Sequence, residues 1–259
     1  MGDARPGAAR FTRIQRDYFD GADERKFRWQ TTDPYLAATE RALLERTNIG
    51  GTDRLLEVGC GEGGNLKLLT GAAKRTVGVD LWPAKARWAR REVASGTFAC
   101  ADACRLPFRN ESFDVVLCRD VLHHVLDKQQ VLAEMFRVCR MSGRLIVIEP
   151  NGRNPIMWLL GLAVGAERHI IENSPNRLLL MFSMKGLEVD RILFAQPFPV
   201  GRMIFHYRWG VPRLSSLLAG VIRGLEDLIG CIVPTDRWAY MIMTAAKRAP
   251  AGPTSAGAL

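Results

Sequence analysis

The chain has 259 residues, 47% hydrophobic and 24% charged, which excludes a disordered chain and accommodates one large α/β domain. A net charge of +9 admits an anionic partner, but the basic residues are scattered, so a solvated basic surface is a plainer account than a nucleic-acid groove. Six cysteines without a CxxC pair supply no zinc pattern and suit a reducing, cytoplasmic setting.

Residues 1–10 and 249–259, rich in Ala, Gly and Pro, are expected to be flexible. Residues 11–248 are expected to form one domain, with a core at 52–151 and a cover at 152–236. No apolar leader opens the chain, and the longest apolar run, Ile156 to Ala166, is too short to span a bilayer.

Phe11–Asp20 and Pro34–Thr47 read as helices. Arg54–Val58 is a short apolar strand, and Glu62–Thr70 a helix entered through glycines. Thr76–Asp80 is a valine-rich strand ending in an acid. Pro83–Val93 follows as a helix with proline in its first turn, where the missing N–H costs nothing. Thr97–Cys100 and Phe113–Cys118 are the next strands. Asp127–Cys139 carries the helical stripe Val131, Leu132, Met135, Phe136, Cys139. Ser142-Gly143 breaks it before the strand Arg144–Ile148. Asn154–Arg168 and Ser174–Met184 read as helices, and Leu187–Phe194 and Arg237–Thr244 as two last strands. Strand–helix–strand units predict a doubly wound, mostly parallel, seven-stranded α/β Rossmann-like sheet. N-terminal helices precede it and an apolar helical embellishment follows. Cys60, Cys118 and Cys139 lie in apolar runs and read as buried small hydrophobes.

The chemistry concentrates at Leu55-Leu56-Glu57-Val58-Gly59-Cys60-Gly61-Glu62-Gly63-Gly64. Glycines directly after a strand allow positive φ and close backbone approach to a ligand. They stand at the N-terminus of a helix, which favours negative charge. Gly59, Gly61 and Gly64 also satisfy the dinucleotide spacing, so the glycines alone do not choose between cofactors. Asp80 ends the second strand, where an acid accepts from ribose hydroxyls. Asp102 follows the third strand, where it can accept from an adenine amine. The two acids fit any adenosine.

Taken together, LLEVGCGEGG, VGVDL, ADACRLPFRNESFDVVLCRDVLHHV and RVCRMSGRLIVIEPN resemble the class I S-adenosylmethionine-dependent methyltransferases. Within these, the likeness is to the small-molecule branch of the ubiquinone/menaquinone and sterol enzymes. The resemblance implies S-adenosylmethionine as cofactor. It implies that Glu57, Gly59, Cys60, Gly61 and Gly63 shape the pocket for its methionine part. It further implies Asp80 on the ribose, Leu81 against the adenine face, Asp102 and the Ala103 N–H on the adenine edge, and Arg119 facing the donor. Arg140-Met141-Ser142-Gly143 replaces the family's Lys-Pro-Gly-Gly turn, away from the donor. The Asn/Asp-Pro-Pro-Tyr motif of amino methyltransferases acting on bases is absent, which argues against DNA or RNA base methylation.

His123 and His124 follow the fourth strand, where an acceptor would lie. Two roles stand open for them: general base, or packing and hydrogen bonding in the core. Being adjacent, they are expected to point to opposite sides. Glu149, bordering the expected acceptor face, reads as a cap or ion-pair partner first and as a substrate contact second. Tyr18, Trp29 and Tyr35 lie where a lid over the donor often forms, though each taken alone reads first as an ordinary packing residue. No metal site is expected. Residues 154–166 are an aliphatic run with Trp158, and 197–234 mix arginines with Trp, Leu, Ile and Met. Such a mixture suits a buried cap, a homodimer face or peripheral contact with an anionic bilayer, and it implies a hydrophobic or lipid-like acceptor. The rival readings are a catalytically inactive donor-binding protein, an RNA methyltransferase, which needs a coherent basic groove, and a nicotinamide oxidoreductase, whose Tyr-x-x-x-Lys pair is missing.

Overall fold

The computed structural model describes residues 13–19, 33–184, 187–201 and 216–248. Its strands are β1 (Thr52–Val58), β2 (Ala73–Asp80), β3 (Gly96–Cys100), β4 (Phe113–Arg119), β5 (Cys139–Pro150), β6 (Val189–Ala195) and β7 (Tyr240–Ala246). They form one sheet in the order β3-β2-β1-β4-β5-β7-β6. The first five pair in parallel, and β7 runs antiparallel between β5 and β6. The α/β Rossmann-like expectation holds in strand number and direction.

β1 lies mid-sheet, so both of its faces are covered and its polar alternation disappears. Successive side chains go to opposite cores. Leu55 joins Val115 and Leu117 on one face, while Leu56 and Val58 join Val116 and Cys118 on the other. Cys60, Cys118 and Cys139 are buried as expected. Chain order reverses between β1 and β4, and their carboxyl ends diverge there to open the crevice such sheets use for ligands.

The helices are α1 (Pro34–Glu45), α2 (Gly64–Leu68), α3 (Pro83–Glu92), α4 (Lys128–Val138), α5 (Pro155–Ala163), α6 (Pro175–Ser183) and α7 (Ser216–Gly230); residues 13–19 are also helical. Three of them share a start signal. Asp33, Asn154 and Ser174 each accept backbone N–H groups of the first turn, and proline follows each.

Three expected boundaries move, for local reasons. The helix after the glycine turn shrinks to Gly64–Leu68, because Gly63 still has φ +82° as its cap. The helix expected over Asn154–Arg168 ends at Ala163, where Val164 turns extended; a 3-10 stretch, Gly165–Glu172, takes over. Ser142-Gly143 does not precede β5 but lies within it. Ser142 takes φ +60°, and the kink is stitched to the end of the sheet by Ser142 N–H on Lys247 O and Lys247 N–H on Gly143 O.

The outer face of the cover is apolar. Trp158, Leu159 and Leu162 of α5 are exposed, as are Leu217, Val221, Leu225 and Leu228 of α7. The inner side of α7 packs Ile222 against Tyr35 and Leu36 of α1. Glu226 accepts there from Tyr35 Oη and from the Gly201 N–H. No helix among the described residues is long and apolar enough to cross a membrane. Residues 1–12, Trp29, His206 and the arginine-rich part of the expected interfacial segment, 202–215, lie outside the described residues, as does 249–259.

Candidate active site

The carboxyl ends of β1, β2 and β4 build a cavity of about 280 Å³. The turn after β1 forms its floor. The N–H groups of Gly59 and Cys60 both donate to Val79 O, and Gly61 N–H donates to Asp80 Oδ2 at 2.9 Å. Asp80 Oδ1 accepts from Trp82 N–H, also at 2.9 Å. The acid at the end of β2 thus holds the glycine turn while itself lining the cavity.

The glycines divide by task. Gly59, at φ +72°, is pressed against Val121, and Gly63 against Ala89 and Val93 of α3. Gly61, at φ +53°, has nothing within 4 Å of where a Cβ would stand, so its backbone is open to a ligand in the cavity. Gly63 therefore packs α3 behind the floor, while Gly59, Cys60 and Gly61 line it. Glu57 is fully buried beneath that floor. One of its oxygens accepts from Asn65 Nδ2, and Oε2 is buried without a hydrogen bond among the described residues. Burial pushes its carboxyl up to about 8, against the lowering pull of Asn65 and Arg119.

Leu81, Asp102 and Ala103 lie together on the β2–β3 side of the cavity. Leu81 is 56% exposed and presents an apolar side chain on the cavity. Asp102 accepts from Cys104 N–H at 2.8 Å. Arg119, at the end of β4, is buried; it donates to Asn65 Oδ1 at 2.9 Å and pairs with Glu40 of α1 and with Asp120. Burial works against its charge, but Glu40 and then Asp120 hold it strongly protonated. A chain of polar contacts, Glu57–Asn65–Arg119–Glu40, thereby ties the floor to α1.

The opposite wall carries the two histidines. Both reach the cavity, which corrects the expectation that they diverge. Leu122–His124 is a 3-10 turn, not a strand, and the rings lie 3.9 Å apart between centroids. His123 Nδ1 is 2.8 Å from Glu149 Oε2, and its Nε2 is 3.1 Å from Glu167 Oε2. Burial disfavours charge on His123, but Glu149 and then Glu167 outweigh it and push the ring up to about 10. Burial, then the neighbouring His123 charge, pushes His124 down to about 3.

Glu149 pairs as expected. It accepts from Val121 N–H, Leu122 N–H and Asn173 Nδ2 as well as facing His123. Of the aromatic residues expected near a lid, Tyr18 lines the cavity and Tyr35 turns away to Glu226. Glu167, Asn65, Glu40 and Tyr240 were not singled out from the sequence. Glu167 lies 44 residues from His123 in an unremarked stretch, and only the fold joins them.

The methyltransferase domain family matches residues 56–147, the stretch that supplies the floor, both acids and the histidine wall. Residues 56–147 carry a methyltransferase domain of the class I, S-adenosylmethionine-dependent kind. Phthiotriol/phenolphthiotriol dimycocerosates methyltransferase 1 of Mycobacterium ulcerans is 31% identical over 171 residues, 61% of this chain and 63% of that protein. The 27-O-demethylrifamycin SV methyltransferase of Amycolatopsis mediterranei is 33% identical over 100 residues, 36% of this chain and 37% of that one. The matched stretches thus span between about a third and two thirds of these relatives. Among solved structures, the Haemonchus contortus phosphoethanolamine N-methyltransferase 2 bound to S-adenosyl-L-methionine superposes with a TM-score of 0.65. It is 19% identical, over 92% of this chain and 60% of that one. That likeness shows the fold.

The residues present in this domain fit the donor. The bare Gly61 backbone leaves room in the cavity, the unsatisfied Glu57 Oε2 beneath it suits a cationic ammonium end, and Asp80, at the end of β2, and Asp102, just beyond the neighbouring β3, both line the cavity.

Proposed function

We propose that this chain transfers a methyl group from S-adenosylmethionine to an oxygen of a hydrophobic, lipid-like or polyketide-like small molecule. One observation carries the reading. A single cavity runs from Asp80 and Asp102 to the His123–His124–Glu167 wall, and Met157, Leu160, Ile170 and Tyr240 give it an apolar lining. The bound donor supplies an electrophilic methyl on cationic sulfur. The chain's part is alignment. Asp80 and the glycine turn fix the nucleoside end, while the apolar lining seats the body of the acceptor. The histidine wall hydrogen-bonds the acceptor hydroxyl, whose proton passes to the Glu167 carboxylate as the methyl–sulfur bond breaks and the methyl–oxygen bond forms, and holding two reactants in line is worth several kcal/mol of barrier. His123, fixed between two carboxylates, positions that wall, and His124 and Glu167 meet the acceptor. The names of the two relatives, a phthiotriol and an O-demethylated rifamycin enzyme, support an oxygen on a large apolar body. The exposed apolar rows of α5 and α7 support work at a lipid surface, where such an acceptor resides.

Calorimetric titration with S-adenosylmethionine, with NAD as control, tests the donor. Labelled-methyl transfer to extracted lipids, quinones and polyketides tests the acceptor. We expect binding of S-adenosylmethionine alone and label in the organic phase. Label in RNA would replace the acceptor class. Donor binding without transfer to any acceptor would favour an inactive donor-binding protein, and binding of NAD alone would overturn the reading.

A further inference from the structure

We propose that His123, His124 and Glu167 bind one divalent transition-metal ion at the acceptor end of the cavity. Their ligand atoms all lie within 4.8 Å of one another. His123 Nε2 and His124 Nε2 stand 3.1 and 3.9 Å from Glu167 Oε2. Ligands about 2.1 Å from a tetrahedral ion stand roughly 3.4 Å apart, so these separations bracket what one ion requires. The three residues come from two short 3-10 turns and converge on a cavity wall, leaving any fourth position toward the cavity.

The surroundings have the form of an outer ligand shell. A ligating imidazole keeps its orientation by giving its other N–H to a carboxylate. His123 Nδ1 faces Glu149 in that way, and Glu149 is anchored in turn by two backbone N–H groups and Asn173. The opposite turn is tied down as well: Ala166 and Ile170 are buried, and Gln15 Nε2 donates to Ala166 O at 2.8 Å. An ion takes the place of the proton held between His123 and Glu167. The negative charge of Glu149 and Glu167 then faces the ion, against the Lys85 ammonium on the same cavity.

The donor set selects the metal. Two imidazoles and one carboxylate suit zinc, cobalt or iron(II), whereas magnesium and calcium want oxygen ligands throughout. Three protein ligands with an open position are the pattern of sites that act on a bound oxygen. That role, in which the acceptor oxygen completes the coordination, rests on the proposed methyl transfer; the site itself does not.

The test is titration of the full chain, stripped with chelator, with Co²⁺ followed by visible d–d absorption and with Zn²⁺ followed by calorimetry. We expect one ion per chain, with the absorption of a four- or five-coordinate site. His124→Ala and Glu167→Gln should each weaken binding at least about 100-fold, more than loss of an outer-shell partner does, with unchanged circular dichroism. Cys100→Ser should change nothing, and Asp80→Ala should lose donor affinity while keeping the metal. No saturable binding by a preparation that still binds S-adenosylmethionine would overturn the metal site and leave the methyltransferase reading standing. Binding that survives both His124→Ala and Glu167→Gln would overturn it equally. Metal binding without donor binding would retain the site and count against that reading.

Discussion

Gly59 and Val121 compete for one place: a Cβ on Gly59 would lie 2.2 Å from Val121 Cγ2. The contact joins the turn after β1 to the segment that carries His123 and His124, so the two walls of the cavity are set against each other. Gly59→Ala meets both this overlap and φ +72°, and should cost about 2–4 kcal/mol. Adding Val121→Ala removes the overlap but not the strain. Chemical denaturation of the double variant should therefore show less loss than the sum of the singles by at least about 1 kcal/mol. Strict additivity would mean that the turn moves aside instead.

Asp80 holds two backbone N–H groups, one on each carboxylate oxygen, and lines the cavity. Asp80→Ala should weaken donor binding at least about 100-fold, since both the turn and the ribose contact go; a charge-assisted hydrogen bond is worth about 1.5–3 kcal/mol. Asp80→Asn keeps one acceptor and should fall between. Calorimetry reads both, and donor affinity equal to wild type in Asp80→Ala would remove this acid from the site.

Glu57 should make the unliganded domain less stable as pH rises. Its folded-state carboxyl is pushed up to about 8 by burial, from an ordinary 4.5. The folded state therefore holds a proton that the unfolded state has lost between those values. Stability is full below pH 4.5 and declines as pH rises through about 8. Glu57→Gln removes this slope. Its Tm relative to wild type should rise by roughly 10 °C between pH 5 and pH 8.5, since each pH unit over which only the folded state keeps the proton is worth about 1.4 kcal/mol and each kcal/mol moves Tm by about 2–4 °C in a domain of this size. The same variant should bind the donor more weakly. A difference in Tm that stays constant across that range would show Glu57 ionised throughout.

How much of this was legible in the sequence follows from the range of the interactions. β1 and its glycine turn, Asp80 and Asp102 are local signals, each a residue type at the end of a short apolar run, and they stand together in the structure. The histidine wall was only half legible. His123 and His124 follow β4 as neighbours, but their joint aim depends on a 3-10 turn, which adjacent residues do not announce. Glu167 arrives from beyond β5 because Val164 breaks the expected helix, and nothing in the run GLAVGAERH marks that break except Gly165. The buried Arg119–Glu40 pair was hidden for the same reason, with its partners 79 residues apart.

The solvent face of α7 offers the last prediction. Leu217, Val221 and Leu225 follow each other by four residues, and Leu228 comes three later, so they share one side of the helix; all are exposed, Leu217 to 79%. Opposite them, Ile222 and Glu226 hold α7 to Tyr35. Each of these residues is more than half exposed among the described residues, so the row contributes little to folding. The triple variant Leu217→Gln/Leu225→Gln/Leu228→Gln should therefore keep the wild-type Tm within about 2 °C. The same row inserted into a lipid surface loses roughly 25 cal/mol for each Å² no longer buried there. Flotation with anionic vesicles should then recover wild type with the lipid and leave most of the triple variant behind. A large fall in Tm would instead show that the row is covered within the chain. A sedimentation shift from dimer to monomer, with flotation unchanged, would assign it to a second copy rather than to a membrane.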